Sequence, residues 1–135
     1  MRRVYVDANV FLRFFARDDE GQHDRARKLF ADAGSGRVQL VSGPPVLFEV
    51  AWTLRGAYAV PPVRILEILD AIAAFPGLSL SDEGTVLSAL SLARESGVEF
   101  ADAYIAASAQ TLVADQIATF NVKDFKRLES ALYHW

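Results

Sequence analysis

Four carboxylates in this chain stand in apolar segments, where a charged side chain is unusual. They are Asp7, Glu49, Asp102 and Asp124. Carboxylates are almost never fully buried unless they are paired or bind a metal ion. Because four of them are spread along 135 residues, we expect the fold to gather them into one acidic site.

The other residue types narrow the chemistry of such a site. The chain has no Cys, and its only two His, His23 and His134, lie in polar or terminal contexts. Disulfides, thiolate metal sites and a Cys nucleophile are therefore excluded. Oxygen ligands suit hard cations, so Mg²⁺ or Mn²⁺ fits best. Such an ion lowers the pKa of a bound water and neutralises charge on a phosphate, which indicates phosphoryl chemistry.

Three of the four carboxylates also have explanations that need no metal ion. Asp7 follows a predicted strand and could cap the next helix, and Asp102 could cap an alanine-rich helix. Asp124 adjoins Lys123 and could form a surface ion pair. These alternatives stay open at the level of sequence.

Glu49 has fewer alternative explanations than the other three. Val46, Val50 and Thr53 stand at i−3, i+1 and i+4 from it, so the pattern predicts a largely buried helix face around the carboxylate. We therefore expect Glu49 to be buried and to act as a ligand.

Predicted strands alternate with predicted helices along the chain. The predicted strands cover residues 2–6, 38–41, 78–80 and 116–120. The first predicted helix starts at residue 9, and the next two cover residues 23–33 and 44–56. A fourth begins at residues 61–62, and a fifth is capped by Ser81 and closed by Gly97. The last two cover residues 101–112 and 123–128. This alternation predicts an α/β fold whose parallel sheet is covered on both faces. The ligand site of such a sheet lies beyond the carboxyl ends of its strands.

Size and charge limit the class of protein. A chain of 135 residues is near the commonest single-domain size, so we expect one domain over residues 1–135. No apolar run approaches the roughly 18 residues that span a membrane. The apolar stretch at the start of the chain is too short for a signal peptide. We therefore expect a cytoplasmic protein with no membrane partner. The net charge of −3 argues against coating nucleic acid by bulk electrostatics, but not against an enzyme that acts on it.

Several motifs resemble those of PIN domains, in particular the VapC-type branch of ribonuclease toxins. They are VDANVFL at residues 6–12, DDE at 18–20, PVLFEVAWTL at 45–54, FADAYIAA at 100–107 and TFNVKDF at 119–125. They occur in family order and cover essentially the whole chain. The resemblance implies a single PIN-like α/β/α sandwich with a central, mainly parallel sheet. It also implies a Mg²⁺- or Mn²⁺-dependent endoribonuclease that is the toxin of a type II toxin–antitoxin system.

The resemblance also implies roles for the acidic residues. Asp7, Glu49 and Asp102 match the acidic positions of the family and would be catalytic metal ligands. The fourth position is open, because Asn121 is neutral. The fourth charge then comes from Asp124 or is absent.

Supporting and substrate-binding roles follow from the same motifs. Thr119 would support the site by hydrogen bonding. Asn9 would hold Asp7 or a water, although an Asn near a helix start is often only a cap. Residues near the acidic motifs that could contact RNA phosphates, or could simply be solvated, are Arg13, Arg17, Lys123, Lys126 and Arg127.

The apolar excess of the chain suggests a partner. More large apolar residues are present than one small core obviously needs, namely Phe11, Phe14, Phe15, Trp52, Leu54 and Tyr58. The resemblance implies a VapB-like antitoxin whose tail covers an apolar groove formed by such residues, and a homodimer.

Two other functions remain open. The first is a catalytically weak PIN-like binding module, which neutral Asn121 favours. The second is a small metal-dependent phosphatase with Asp7 as nucleophile, which would require a second Asp where Asn9 stands.

Overall fold

The computed structural model describes residues 1–135 and contains three strands and seven helices. In chain order they are β1 Arg3–Tyr5, α1 Ala8–Ala16, α2 Glu20–Gly34, β2 Gln39–Ser42, α3 Pro44–Gly56, α4 Pro62–Ala73, β3 Leu78–Leu80, α5 Glu83–Ser96, α6 Phe100–Thr111 and α7 Val122–Arg127. The chain divides into an N-terminal unit, Met1–Glu83, and a C-terminal unit, Gly84–Trp135. The single domain expected over residues 1–135 stays a prediction.

The three strands form one parallel sheet in the order β1-β2-β3, within the N-terminal unit. Val4 pairs with Leu40, and Leu40 pairs with Leu78, so the fully buried Leu40 lies in the central strand. Parallel neighbours need a crossover connection, which α1 and α2 provide between β1 and β2, and α3 and α4 provide between β2 and β3. The predicted α/β class with a parallel sheet is confirmed.

The strand predicted at residues 116–120 is wrong. In this segment Ile117 alone pairs, in an isolated parallel bridge with Leu132. Two backbone hydrogen bonds hold the bridge, from Ile117 N to Ala131 O at 2.8 Å and from Tyr133 N to Ile117 O at 2.9 Å. The apolar segment that indicated a strand is therefore paired over one residue only, with the C-terminal tail.

Two predicted helix starts also differ from the structure. Helix α2 begins at Glu20 and not at residue 23, because Asp19 Oδ1 accepts a hydrogen bond from Gln22 N at 3.0 Å and caps it. Ser81 does not cap α5. Asp82 follows it with a left-handed φ of 52°, and the helix begins only at the next residue.

An aromatic cluster packs at the edge of the core of the N-terminal unit. Phe11 is fully buried and stacks on Phe30 at 5.6 Å between ring centroids, and Phe30 stacks on Phe75 at 4.7 Å. Phe14 contacts the same cluster edge-on, 5.0 Å from Phe30. Rings in these geometries add about 0.5–1.5 kcal/mol per pair beyond the burial of area. Phe11 therefore belongs to the core and half-buried Phe14 packs against the same cluster, whereas Trp52 is 82% exposed.

The C-terminal unit buries one face of α5 and one face of α6. The buried residues of these helices are Val86, Ala89, Leu90, Ala93, Phe100, Ala103, Ala106 and Ala107. Phe125 and Leu128 are buried at the end of the chain. None of the seven helices has the length and hydropathy that crossing a bilayer requires.

Candidate active site

Asp7 lies just beyond the carboxyl end of β1 and caps α1. Its Oδ1 accepts a hydrogen bond from Ala8 N at 2.8 Å, and its side chain is exposed. Ser42 Oγ donates to Val6 O at 2.9 Å, which ties the end of β2 to the end of β1. Capping occupies Oδ1, so Oδ2 is the oxygen that Asp7 can offer to a ligand. The cap and the metal-ligand interpretations of Asp7 are therefore compatible.

Glu49 is exposed, and the prediction that it is buried is wrong. Helix α3 buries Val46, Leu47, Val50 and Leu54. These four residues form one stripe, and Glu49 lies to the side of it, because a helical face is set by positions three and four apart. The apolar neighbours of Glu49 thus indicate the buried stripe beside it and not the surroundings of its own carboxylate. Helix α3 begins at Pro44, two residues after β2, and Glu49 lies within this helix, whereas Asp7 precedes α1 as its N-cap.

Asp102 lies in the first turn of α6 and is half-buried. The N-cap of α6 is Glu99, which makes no side-chain capping bond, so Asp102 is not a cap. The carboxylate of Asp102 instead accepts a hydrogen bond from Asn121 Nδ2 at 3.3 Å. The capping explanation that the sequence left open for Asp102 does not hold.

Asn121 connects the two carboxylates of the C-terminal unit. Its Nδ2 also donates to Asp124 Oδ2 at 3.0 Å, and its Oδ1 accepts from Asp124 N at 3.4 Å, which caps α7. Thr119 Oγ1 accepts from Asn121 N at 3.0 Å. We call Asp102, Asn121 and Asp124 the amide-bridged pair. Asp124 is therefore a member of an acidic pair and not only a surface charge.

The pKa of Asp102 shows that this pair carries unfavourable charge. Burial raises the pKa of the Asp102 carboxyl above its ordinary value of 3.8, and the negative charges of Asp124 and Glu99 raise it further. Desolvation and like charges both disfavour the ionised form. A bound cation would oppose all three causes. The oxygen donors of Asp102, Asp124 and Asn121 are of the kind that Mg²⁺ and Mn²⁺ prefer.

The structure does not group three or more carboxylate or imidazole side chains within either unit in an arrangement that could hold a metal ion. Asp102 and Asp124 come together in the C-terminal unit. Asp7 and Glu49 belong to the N-terminal unit. That all four form one metal site stays a prediction.

Comparison with known families decides the identity of the fold. The PIN domain family matches residues 4–130, which is nearly the whole chain. The chain belongs to the PIN-domain family. PIN domains are generally nucleases, and they typically use divalent metals such as Mg²⁺. No curated protein matches the chain.

One candidate phosphate contact of this PIN domain is held within its own unit. Arg13 Nε donates to Gln22 Oε1 at 2.7 Å, and Arg13 Nη1 donates to Tyr58 Oη at 2.9 Å and to Asp18 Oδ1 at 3.4 Å. Tyr58 Oη donates to Asp18 Oδ2 at 2.7 Å, which closes the network. Arg13 thus joins α1, α2 and the segment after α3. RNA would have to compete with these bonds for the guanidinium group.

The remaining candidate cations differ in their freedom. Arg127 Nη2 donates to Ser96 O at 2.6 Å, so it holds the end of α5. Arg17 pairs with Glu20 at 3.3 Å. Lys123 and Lys126, on α7 of the PIN domain, are exposed and form no ion pair.

Two features of the PIN domain were not anticipated from its sequence. Glu99 raises the pKa of Asp102, and its i−3 spacing on the same helix was the signal that could have indicated it. Asn121 is a shared donor to two carboxylates and not a substitute for an acid. Asn9 was expected to hold Asp7 or a water; the hydrogen bond that Asp7 accepts comes from Ala8 N, and the second role stays a prediction.

Proposed function

We propose that this PIN domain is a Mg²⁺- or Mn²⁺-dependent endoribonuclease that acts as the toxin of a toxin–antitoxin pair. The observation that carries the proposal is the amide-bridged pair, in which two carboxylates share one donor and burial and like charge raise the pKa of Asp102. Membership in a family of nucleases supports the same reaction class. The catalytic acids of the proposal are Asp7, Glu49, Asp102 and Asp124.

The proposal gives each of these residues a role. A divalent cation, when bound, supplies an activated water and neutralises charge on the phosphate. Asp102 and Asp124 offer carboxylate oxygens, and the Asn121 amide keeps those oxygens oriented. Asp7 offers Oδ2, because its Oδ1 caps α1. Glu49 offers an exposed carboxylate on α3.

RNA is the substrate of the proposal, and Lys123 and Lys126 are its phosphate contacts. Both ammonium groups are exposed and free of ion pairs, so neither needs to break a bond in order to bind a phosphate. Lys123 lies within the same helix as Asp124. Contacts to phosphate position a nucleic acid without reading its sequence. We expect binding to weaken as salt is raised.

The toxin assignment includes a VapB-like antitoxin and a homodimer. An open, mainly apolar groove of about 490 Å³ lies between α1 and α2 and supports the binding of an antitoxin. Its lining residues are Asn9, Val10, Arg13, Gln22, Arg25, Ala26 and Leu29. Grooves of this kind accept the apolar face of an amphipathic helix. Co-purification with a small co-expressed neighbour tests the antitoxin, and a monomer at micromolar concentration in light scattering would count against the homodimer.

RNA cleavage by the purified full-length protein tests the nuclease function. We expect cleavage with Mg²⁺, none with chelator, and none by Asp7→Ala or Asp102→Ala. Asp115→Ala is the matched control, because Asp115 is an exposed carboxylate outside the four proposed acids. Cleavage that persists in chelator, or in both variants, sinks the metal mechanism.

A catalytically weak binding module is the second candidate, and the neutral side chain of Asn121 favours it. An amide between Asp102 and Asp124 leaves the pair with one charge fewer than a third acid would provide. RNA binding without cleavage at any concentration of Mg²⁺ or Mn²⁺ would support this function over the nuclease.

A further inference from the structure

Three aromatic side chains lie exposed in the C-terminal unit, and one of them directly precedes Asn121 in the chain. Phe120 is 86% exposed, Trp135 is 75% exposed and Tyr133 is 49% exposed. The rings of Phe120 and Trp135 stack at 4.8 Å with 16° between their planes, and Tyr133 meets Trp135 edge-on at 5.4 Å. We call these three residues the aromatic platform. Large apolar rings that are exposed together indicate a binding surface and not part of a core.

Backbone pairing holds the platform in place. The isolated bridge between Ile117 and Leu132 brings the C-terminal tail alongside the segment that carries Phe120. Tyr133 N donates to Ile117 O at 2.9 Å, so the C-terminal tail stays paired as far as Tyr133, the first platform residue of the tail. The two parts of the platform are more than ten residues apart in sequence, and the bridge together with the Phe120–Trp135 stacking brings them together.

The platform and the amide-bridged pair are adjacent along the chain. Phe120 stands between Thr119, which accepts from Asn121 N, and Asn121, which donates to Asp102 and Asp124. Consecutive Cα atoms lie about 3.8 Å apart, so the ring of Phe120 begins one residue from the amide that orients both carboxylates. The platform residue Phe120 and the proposed acid Asp124 therefore belong to one short segment of the chain, residues 119–124.

We propose that the aromatic platform stacks an unpaired base of the RNA substrate. The inference rests on the proposed nuclease function and assigns a base contact for its RNA substrate. Flat rings suit nucleobases because every base has a π-face, and unpaired RNA bases are recognised by stacking on aromatic side chains. The free ammonium group of Lys123, three residues after Phe120, fits the phosphate that accompanies the base.

Equilibrium binding without divalent metal tests the platform separately from cleavage. A short dye-labelled single-stranded RNA is titrated with full-length protein in chelator and followed by fluorescence anisotropy. We expect Phe120→Ala and Phe120→Leu to weaken binding by about 5- to 140-fold, which corresponds to about 1–3 kcal/mol per stacked base. Phe120→Trp retains the π-face and should bind as wild type does. Double-stranded RNA should bind more weakly than single-stranded RNA.

The matched control is Leu112→Ala, which removes an apolar side chain that is 80% exposed in the same unit. Helix α6 separates Leu112 from Asp102 by ten residues, or about 15 Å along its axis. Leu112→Ala should bind RNA as wild type does. Because Phe120 is so exposed, its replacement should leave the thermal unfolding midpoint unchanged, which is to be checked for every variant.

The outcomes separate the platform from the nuclease. Wild-type binding by Phe120→Ala, or failure of the wild-type protein to bind single-stranded RNA, overturns the platform. Weakened binding by Phe120→Ala and Phe120→Leu together with no cleavage in Mg²⁺ supports the platform and counts against the nuclease. Cleavage by wild type together with undiminished binding by Phe120→Ala supports the nuclease and overturns the platform.

Discussion

Asp102 and Asp124 share one hydrogen-bond donor, the Nδ2 group of Asn121, at 3.3 Å and 3.0 Å respectively. Two carboxylates on different helices are thereby held near each other without a positive charge between them. The pKa of Asp102 is raised by burial first and by Asp124 second, so the ionised form of Asp102 is disfavoured in the folded protein. Sites of this kind are typical of functional residues, because stability alone would not favour them.

Neutralising Asp102 should separate stability from activity. We expect Asp102→Asn to lower cleavage by at least about 100-fold, because even partners outside the ligand shell cost about 10–100-fold when removed. The same change should raise the unfolding midpoint of the metal-free protein, since the ionised Asp102 is disfavoured in the folded state. Cleavage assays and thermal unfolding in chelator check the two effects. Asp115→Asn is the control, and a lower unfolding midpoint of Asp102→Asn would contradict the electrostatic interpretation.

Adding a charge at position 121 should make folding depend on metal. Asn121→Asp replaces the shared donor with a third carboxylate beside Asp102 and Asp124, so we expect a lower unfolding midpoint in chelator. Mg²⁺ should restore most of the loss, because a ligand that binds only the folded state stabilises it. Thermal unfolding with and without Mg²⁺ measures both. An equal loss in the two conditions would mean that Mg²⁺ does not bind beside position 121, since Asp caps a helix as well as Asn does.

The pH dependence of cleavage should follow the raised pKa of Asp102. Only the ionised carboxylate binds a cation, so we expect cleavage to fall as the pH drops through this raised value. Glu99→Gln removes one of the causes and should move the acid limb of the pH–rate profile to lower pH. The rate at neutral pH should stay as in wild type. An acid limb that does not move would show that Asp102 does not limit the reaction.

Ionisation of Asp102, which cleavage requires, should lower the stability of the metal-free protein. A folded-state pKa above the unfolded value contributes stability below the unfolded pKa, and that contribution is lost as pH rises through the folded pKa. Asp102→Asn removes this dependence. We therefore expect its stabilising effect to be present at neutral pH and to fade on acidification towards pH 3.8 and below, measured by denaturant unfolding in chelator.

Arg13 should matter more to stability than to RNA binding. Arg13→Ala removes hydrogen bonds to Gln22 and Tyr58, so we expect a loss of roughly 1–2 kcal/mol in the free energy of unfolding. Arg13→Lys should recover only part of it, because an ammonium group cannot reproduce the fork of guanidinium donors. Denaturant unfolding measures the loss. A variant as stable as wild type but weaker in RNA binding would return Arg13 to the substrate contacts.

The sequence was sufficient for the parallel sheet and for the family. Three short apolar strands between helical segments have few arrangements other than crossovers, so the pattern led to β1, β2 and β3, and residues 78–80 match β3 itself. The motifs also led to the family, because they occur in the order that the family has.

The sequence was insufficient where one side chain has to be placed against another. The apolar neighbours of Glu49 predicted burial, yet α3 buries the stripe beside it. Apolar residues at 116–120 predicted a strand, yet only Ile117 pairs. In both cases a local pattern shows that apolar side chains are present but not which surface covers them.

The types of the acidic residues, their order and the oxygen chemistry that they favour are determined by the sequence alone. Only the tertiary structure decided that Asn121 serves Asp102 and Asp124 together, and that Phe120 meets Trp135. Both contacts join residues 15 to 19 positions apart through side chains or a single bridge. No local periodicity encodes such contacts, because their geometry depends on how α6, α7 and the C-terminal tail pack in three dimensions.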